Sequence, residues 1–111
     1  MTTNELIQAF GQVAIASVAD AVDKVCGKRG YMDSCIKPRI NDKRICGPAA
    51  TVLESATDEF VPPQHALDLI DEASAGSVIV ISIEGGQSEV AVWGGLMTAG
   101  AVANGHAGAV L

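Results

Sequence analysis

Apolar positions recur at helical spacing near the start of the chain. Leu6, Ile7, Phe10, Val13 and Ala14 follow one another behind Thr2-Thr3-Asn4-Glu5. That leading tetrad has the spacing of a capping box, in which Glu5 reaches back to the Thr2 amide. Ser17 to Asp20 repeats the signal and predicts a second helix, with Val18, Ala21, Val22 and Val25 on one face and Gly27 as its stop. Ile45 to Leu53 reads as a strand entered through the Gly47-Pro48 kink. Pro62-Pro63 opens a further helix with an apolar face of Ala66, Leu67, Ile70 and Ala73, and Gly76 ends it. Ser77 to Ile83, S-V-I-V-I-S-I, is β-branched and nearly continuous, the pattern of a strand buried on both faces. Gly85-Gly86 breaks it. Gly94 or Gly95 then starts a helix that Asn104-Gly105 stops, and Ala107 to Leu111 begins another strand. Strand, helix and strand with short connections make a βαβ unit, and the alternation before it predicts an α/β layered fold.

Composition adds limits to this picture. The chain has 111 residues, 49% of them hydrophobic and 18% charged, which suits one folded domain rather than disorder. Its net charge of −6 disfavours a nucleic-acid backbone or an anionic membrane as partner. No apolar run approaches the roughly 18 residues of a membrane span. The N-terminus lacks the cationic start of a secretory signal. Cys26, Cys35 and Cys46 are three thiols without close C-x-x-C spacing, which points to free thiols and a cytoplasmic protein. Six of the seven basic residues lie between Lys28 and Arg44, as either a phosphate-binding patch or a solvated connection.

Candidate chemistry concentrates in Trp93-Gly94-Gly95-Leu96-Met97, W-G-G-L-M. The first amides of a helix have no intrahelical partner and point along the positive end of its dipole. A phosphate or carboxylate can accept several of them at once, and a missing Cβ lets the ligand come close. Gly94, Gly95, Leu96 and Met97 therefore form a candidate main-chain anion cradle. The competing reading is a strand-to-helix turn that needs glycine for its dihedrals. The other glycine pair, in I-E-G-G-Q-S-E, has neither the dinucleotide nor the P-loop spacing. His65 reads as a surface residue, and His106, behind the last helix, as a cap on that helix's terminal carbonyls.

Four stretches occur together in the order and spacing of one family. They are S-V-A-D-A-V-D-K-V-C-G-K-R-G-Y-M-D-S-C-I-K-P, I-C-G-P-A-A-T-V, A-G-S-V-I-V-I-S-I-E-G-G and A-V-W-G-G-L-M-T-A-G-A-V-A-N-G-H-A-G-A-V-L. From about Ser17 onward the chain resembles the RraA-like proteins, the family of 4-hydroxy-4-methyl-2-oxoglutarate aldolase and the regulator of ribonuclease E activity A. The resemblance implies a three-layer β/β/α swivelling-type α/β domain, assembled as trimers or hexamers. It also implies class II pyruvate aldolase chemistry, or oxaloacetate decarboxylase-like chemistry, with a divalent metal, Mg or Mn. The backbone amides of Gly94 to Met97 would then hold the keto-acid substrate. The family's D-G-x-x-R-D motif, which supplies a substrate arginine and a metal aspartate, would begin where Leu111 ends. Residues 1–111 thus read as the N-terminal portion of one RraA-like domain, with helices over about 3–26 and a βαβ unit over about 77–111. No catalytic residue and no metal ligand is assigned within them. The alternative function is a non-catalytic binding protein resembling the ribonuclease regulator, with a ribonuclease as partner.

Overall fold

Thr2 Oγ1 accepts the Glu5 amide at 3.2 Å and the Glu5 carboxylate accepts the Thr2 amide at 2.6 Å. The capping box of the sequence therefore starts α1 (Thr3–Gly11). The computed structural model describes residues 1–86 and 89–111. It divides into two compact units, Met1–Cys46 and Gly47–Leu111. In the first unit, α2 (Ile15–Cys26) begins earlier than expected. Ala14 is its N-cap, with no side-chain cap bond. Ser17 is already inside the helix, so it cannot take the extended backbone an N-cap requires. Gly27 ends α2 in the left-handed region at φ 62° and donates to Asp23 O.

The Lys28–Arg44 segment contains neither helix nor strand. Arg44 Nη2 donates to Phe10 O at 2.7 Å and to Val13 O, placing a cation at the C-terminal end of α1, where the helix dipole favours it. Arg29 lies 5.0 Å from the Tyr31 ring centroid, a cation–π distance. The Cys35 amide donates to Asp33 and holds that carboxyl below its ordinary range. Cys26 and Cys35 are exposed free thiols, and Cys46, also free, is half-buried with its thiol 3.6 Å from Ile7 O.

The second unit is an α/β layer. Its strands β1 (Ala49–Glu54), β2 (Val78–Ile83) and β3 (Gly108–Val110) form one parallel sheet in the order β1-β2-β3. Ala50 is level with Ile79 and Val52 with Ile81, while Ile79 is level with Ala109. α3 (Gln64–Glu72) connects β1 to β2, and α4 (Gly95–Ala103) connects β2 to β3. Among the described residues this is the one sheet.

Two boundaries of the second unit differ from the sequence reading. β1 starts at Ala49, after the Gly47-Pro48 kink instead of through it. α3 stops at Glu72, and Ala73 caps it in extended backbone. Gly76, expected to end that helix, instead sits at φ 84° in the turn before β2, where its amide donates to Gly105 O at 2.8 Å.

Ala66 and Ile70 of α3, Ile79 and Ile81 of β2 and Met97 of α4 form the buried core. Only one face of β2 is fully covered. Ile79 and Ile81 are buried, Val78 and Val80 half-buried, and Ser82 exposed. The expectation of burial on both faces is thus corrected, because α3 and α4 pack against the Ile79–Ile81 face. Gly100 brings α4 close to α3; a Cβ there would lie 3.2 Å from Ile70 Cγ2.

Two predictions follow from this geometry. The Thr2 amide, then the Thr2 hydroxyl, hold the Glu5 carboxyl below its ordinary value of 4.5. A depressed folded value means that the capping contribution is present above 4.5 and is lost as pH falls through the lower folded value. Carboxyl NMR titration of Glu5 is expected to show a midpoint below 4.5, returning toward it in Thr2→Ala. A Cβ on Gly47 would collide with Gly76 O. Gly47→Ala is therefore expected to lower stability by about 1–3 kcal/mol in denaturant unfolding; an unchanged midpoint would contradict the close approach.

Candidate anion site at the start of the fourth helix

Parallel strands fix where this site lies. Because β2 and β3 run the same way, α4 must run back against them, and its N-terminus lies at the carboxyl edge of the sheet. That edge is where open α/β sheets bind ligands. Met97 is 7% exposed and packed into the core, whereas Leu96 beside it is 79% exposed. The buried Met97 side chain anchors the first turn of α4, in which Gly95 and Leu96 are exposed. The N-cap, Gly94, is extended at φ −142° and supplies no side-chain cap. The first helical bond runs from Thr98 N–H to Gly94 O at 3.0 Å, so the amides of Gly95, Leu96 and Met97 lie ahead of it.

Neither glycine is required by the backbone. The positive-φ glycines are Gly27, Gly76, Gly85, Gly86 and Gly105, and Gly94 and Gly95 are not among them. A Cβ built on either would meet nothing within 4 Å. The turn reading of W-G-G, which relied on glycine dihedrals, is thereby corrected. The pair stands before open space.

Trp93 and Thr98 flank this turn. The Trp93 indole Nε1–H donates to Thr98 Oγ1 at 2.7 Å, and Thr98 Oγ1 donates to Gly94 O at 3.2 Å. These residues occupy the positions just before the N-cap and at the fourth helical residue, the spacing of a hydrophobic staple. That spacing is already present in W-G-G-L-M-T.

Two further features at the same sheet edge carried no sequence motif. Ser55 Oγ donates to Glu84 Oε2 at 2.5 Å, bridging the ends of β1 and β2. Glu54 Oε1 is buried without a hydrogen-bond partner among the described residues. The Gly85-Gly86 pair adopts positive φ in a 3-10 turn after β2, which accounts for the strand's end. The I-E-G-G-Q-S-E motif continues through Gln87 and Ser88, which lie outside the described residues.

The histidines are apart from this site. His65 is exposed on α3, beside Asp68 and Glu72 in an open groove against Thr51 and Val52 of β1. His106 was expected to cap the end of α4, but its ring does not; its backbone amide donates to Ala101 O, and its Nε2 lies 2.7 Å from Ile70 O of α3. A carbonyl only accepts, so Nε2 carries the proton and Nδ1 is left buried and unpaired. Among the described residues no group of three or more His, Cys, Asp or Glu side chains converges as a metal site. The Mg or Mn implied by the resemblance thus has no fitting ligand set there. Among the described residues no helix is long and apolar enough to cross a membrane.

Comparison with known proteins bears on the same stretch of chain. Protein DlpA of Legionella pneumophila subsp. pneumophila is 35% identical over 111 residues, covering 99% of this chain and 18% of DlpA. The chain therefore spans less than a fifth of the length of that curated relative. No solved structure matches it. The family model described as RraA-like, Aldolase/RraA, matches residues 15–111, which takes in the α4 turn and the whole second unit, and the chain belongs to the RraA-like family.

Proposed function

We propose that the chain supplies the keto-acid-holding element of a class II pyruvate aldolase related to 4-hydroxy-4-methyl-2-oxoglutarate aldolase. The amides of Gly95, Leu96 and Met97 receive the carboxylate or carbonyl oxygen of the pyruvyl end. The observation that carries this reading is the open space before Gly94 and Gly95, two glycines that neither φ nor packing requires. Family membership supports the aldolase class. Amides preset at a helix start favour an oxygen that gains negative charge, as the pyruvate oxygen does when carbon–carbon cleavage leaves an enolate. Because the described carboxylates form no metal set, no metal step is assigned to these residues. In this reading the substrate arginine and metal aspartate come from sequence outside the chain, and the working protein is a trimer or hexamer.

Three charge-assisted hydrogen bonds at about 1.5 kcal/mol each would give a complex on the order of 1 mM. Gly94→Val is the direct test, because its Cβ would enter open space, with no other atom within 4 Å. Titration calorimetry with pyruvate is expected to show at least about tenfold weaker binding in the variant. Its unfolding midpoint should change by only about 1 kcal/mol or less, the scale of an N-cap substitution. Equal affinity in both proteins would remove the cradle from the function. Failure of the unmodified chain to bind pyruvate would remove the keto-acid reading.

A further inference from the structure

We infer that Trp93 and Thr98 act as positioning residues that hold the Gly94–Gly95 peptide and strengthen its N–H as a donor. The direction of the hydrogen bonds carries this inference. An indole N–H can only donate, so at 2.7 Å it must use a lone pair of Thr98 Oγ1. The Thr98 hydroxyl proton is then free to point at Gly94 O, 3.2 Å away. Gly94 O also accepts the Thr98 amide at 3.0 Å, so this carbonyl receives two donors from one residue. The carbonyl of Gly94 and the amide of Gly95 belong to the same planar peptide group. Hydrogen bonds drawn to the oxygen polarise the group and make its N–H a stronger donor. That N–H is the first of the three amides in the cradle.

The relay also fixes orientation. An N-cap glycine without a side-chain cap has only its own carbonyl to set the tilt of the following peptide plane. Trp93 is half-buried against the core, so it offers a fixed donor to the hydroxyl. The path runs from core to indole, hydroxyl, carbonyl and amide. Its specificity follows from the receiving group: a sharpened, fixed N–H favours a compact planar carboxylate over a neutral carbonyl. This inference rests on the keto-acid reading for its ligand, although the relay itself exists without one.

Thr98 is exposed, so Thr98→Val removes the hydroxyl at little risk to folding, while Thr98→Ser keeps it. The first readout is the Gly95 amide proton shift in the ligand-free 15N-labelled chain. It is expected to move upfield in Thr98→Val, to return in Thr98→Ser, and to move the same way in Trp93→Phe, which keeps a ring and loses the indole donor. The second readout is oxalate affinity, a planar dicarboxylate probe, expected to weaken about threefold in Thr98→Val and to recover in Thr98→Ser. A Gly95 shift unaffected by Thr98→Val, or unrestored by Thr98→Ser, would overturn the inference. Shift changes as described in a chain that binds no oxalate would uphold the relay and overturn only the keto-acid reading.

Discussion

Met97 faces two ways, and the second unit is organised around that division. Its side chain joins Ile70, Ile79 and Ile81 in the core, while its amide belongs to the unbonded first turn of α4. Burying a side chain of this size is worth about 1.5–3 kcal/mol, enough to settle which way the turn faces. With the side chain held inward, the amides of Gly95, Leu96 and Met97 stand in the unbonded first turn, at the carboxyl edge of a parallel sheet. A helix start loosely tethered to its sheet would present the same amides without a fixed direction. Gly100 contributes from the other end of α4 by letting it approach Ile70.

From that anchored turn the roles of the glycines separate. Gly47 is small because Gly76 O occupies the space a side chain would need, and Gly27 allows the left-handed end of α2. Gly94 and Gly95 have neither reason. Their backbone suits any residue and the space before them is open. The proposed keto-acid ligand supplies a reason from outside the fold, a group that must suit three N–H donors. An anionic oxygen meets that condition better than a neutral one, since charge-assisted bonds are roughly twice as strong as neutral ones.

Much of this was legible before the structure. The Thr2–Glu5 box, the Ala66–Ile70 face, the V-I-V-I run and the Asn104-Gly105 stop each rest on short-range patterns, and each formed where expected. The same holds for the start of α4 at Gly95. The readings that changed depended on more than the local spacing. Ser17 was read as a cap because its spacing to Asp20 is right, yet helix propagation from Ile15 absorbs it. The strand β2 looked buried on both faces because sequence shows apolarity without showing what covers it. His106 was assigned to the nearest helix end, although its ring reaches α3, 36 positions earlier in the chain. The Trp93–Thr98 contact is an intermediate case, local in spacing but hidden by the habit of reading Trp as apolar bulk instead of as a donor.

The most direct measurement is a 1H–15N correlation spectrum of the intact chain, titrated with pyruvate and, separately, with chloride at matched ionic strength. The account predicts that the Gly95, Leu96 and Met97 amides move together along one saturating curve with pyruvate. They should move little with chloride, while the amides that open α1 and α3 stay in place. Equal movement at all three helix starts would mean nonspecific attraction to helix dipoles. No movement at Gly95 to Met97 would contradict the claim that this turn is built to receive an anion.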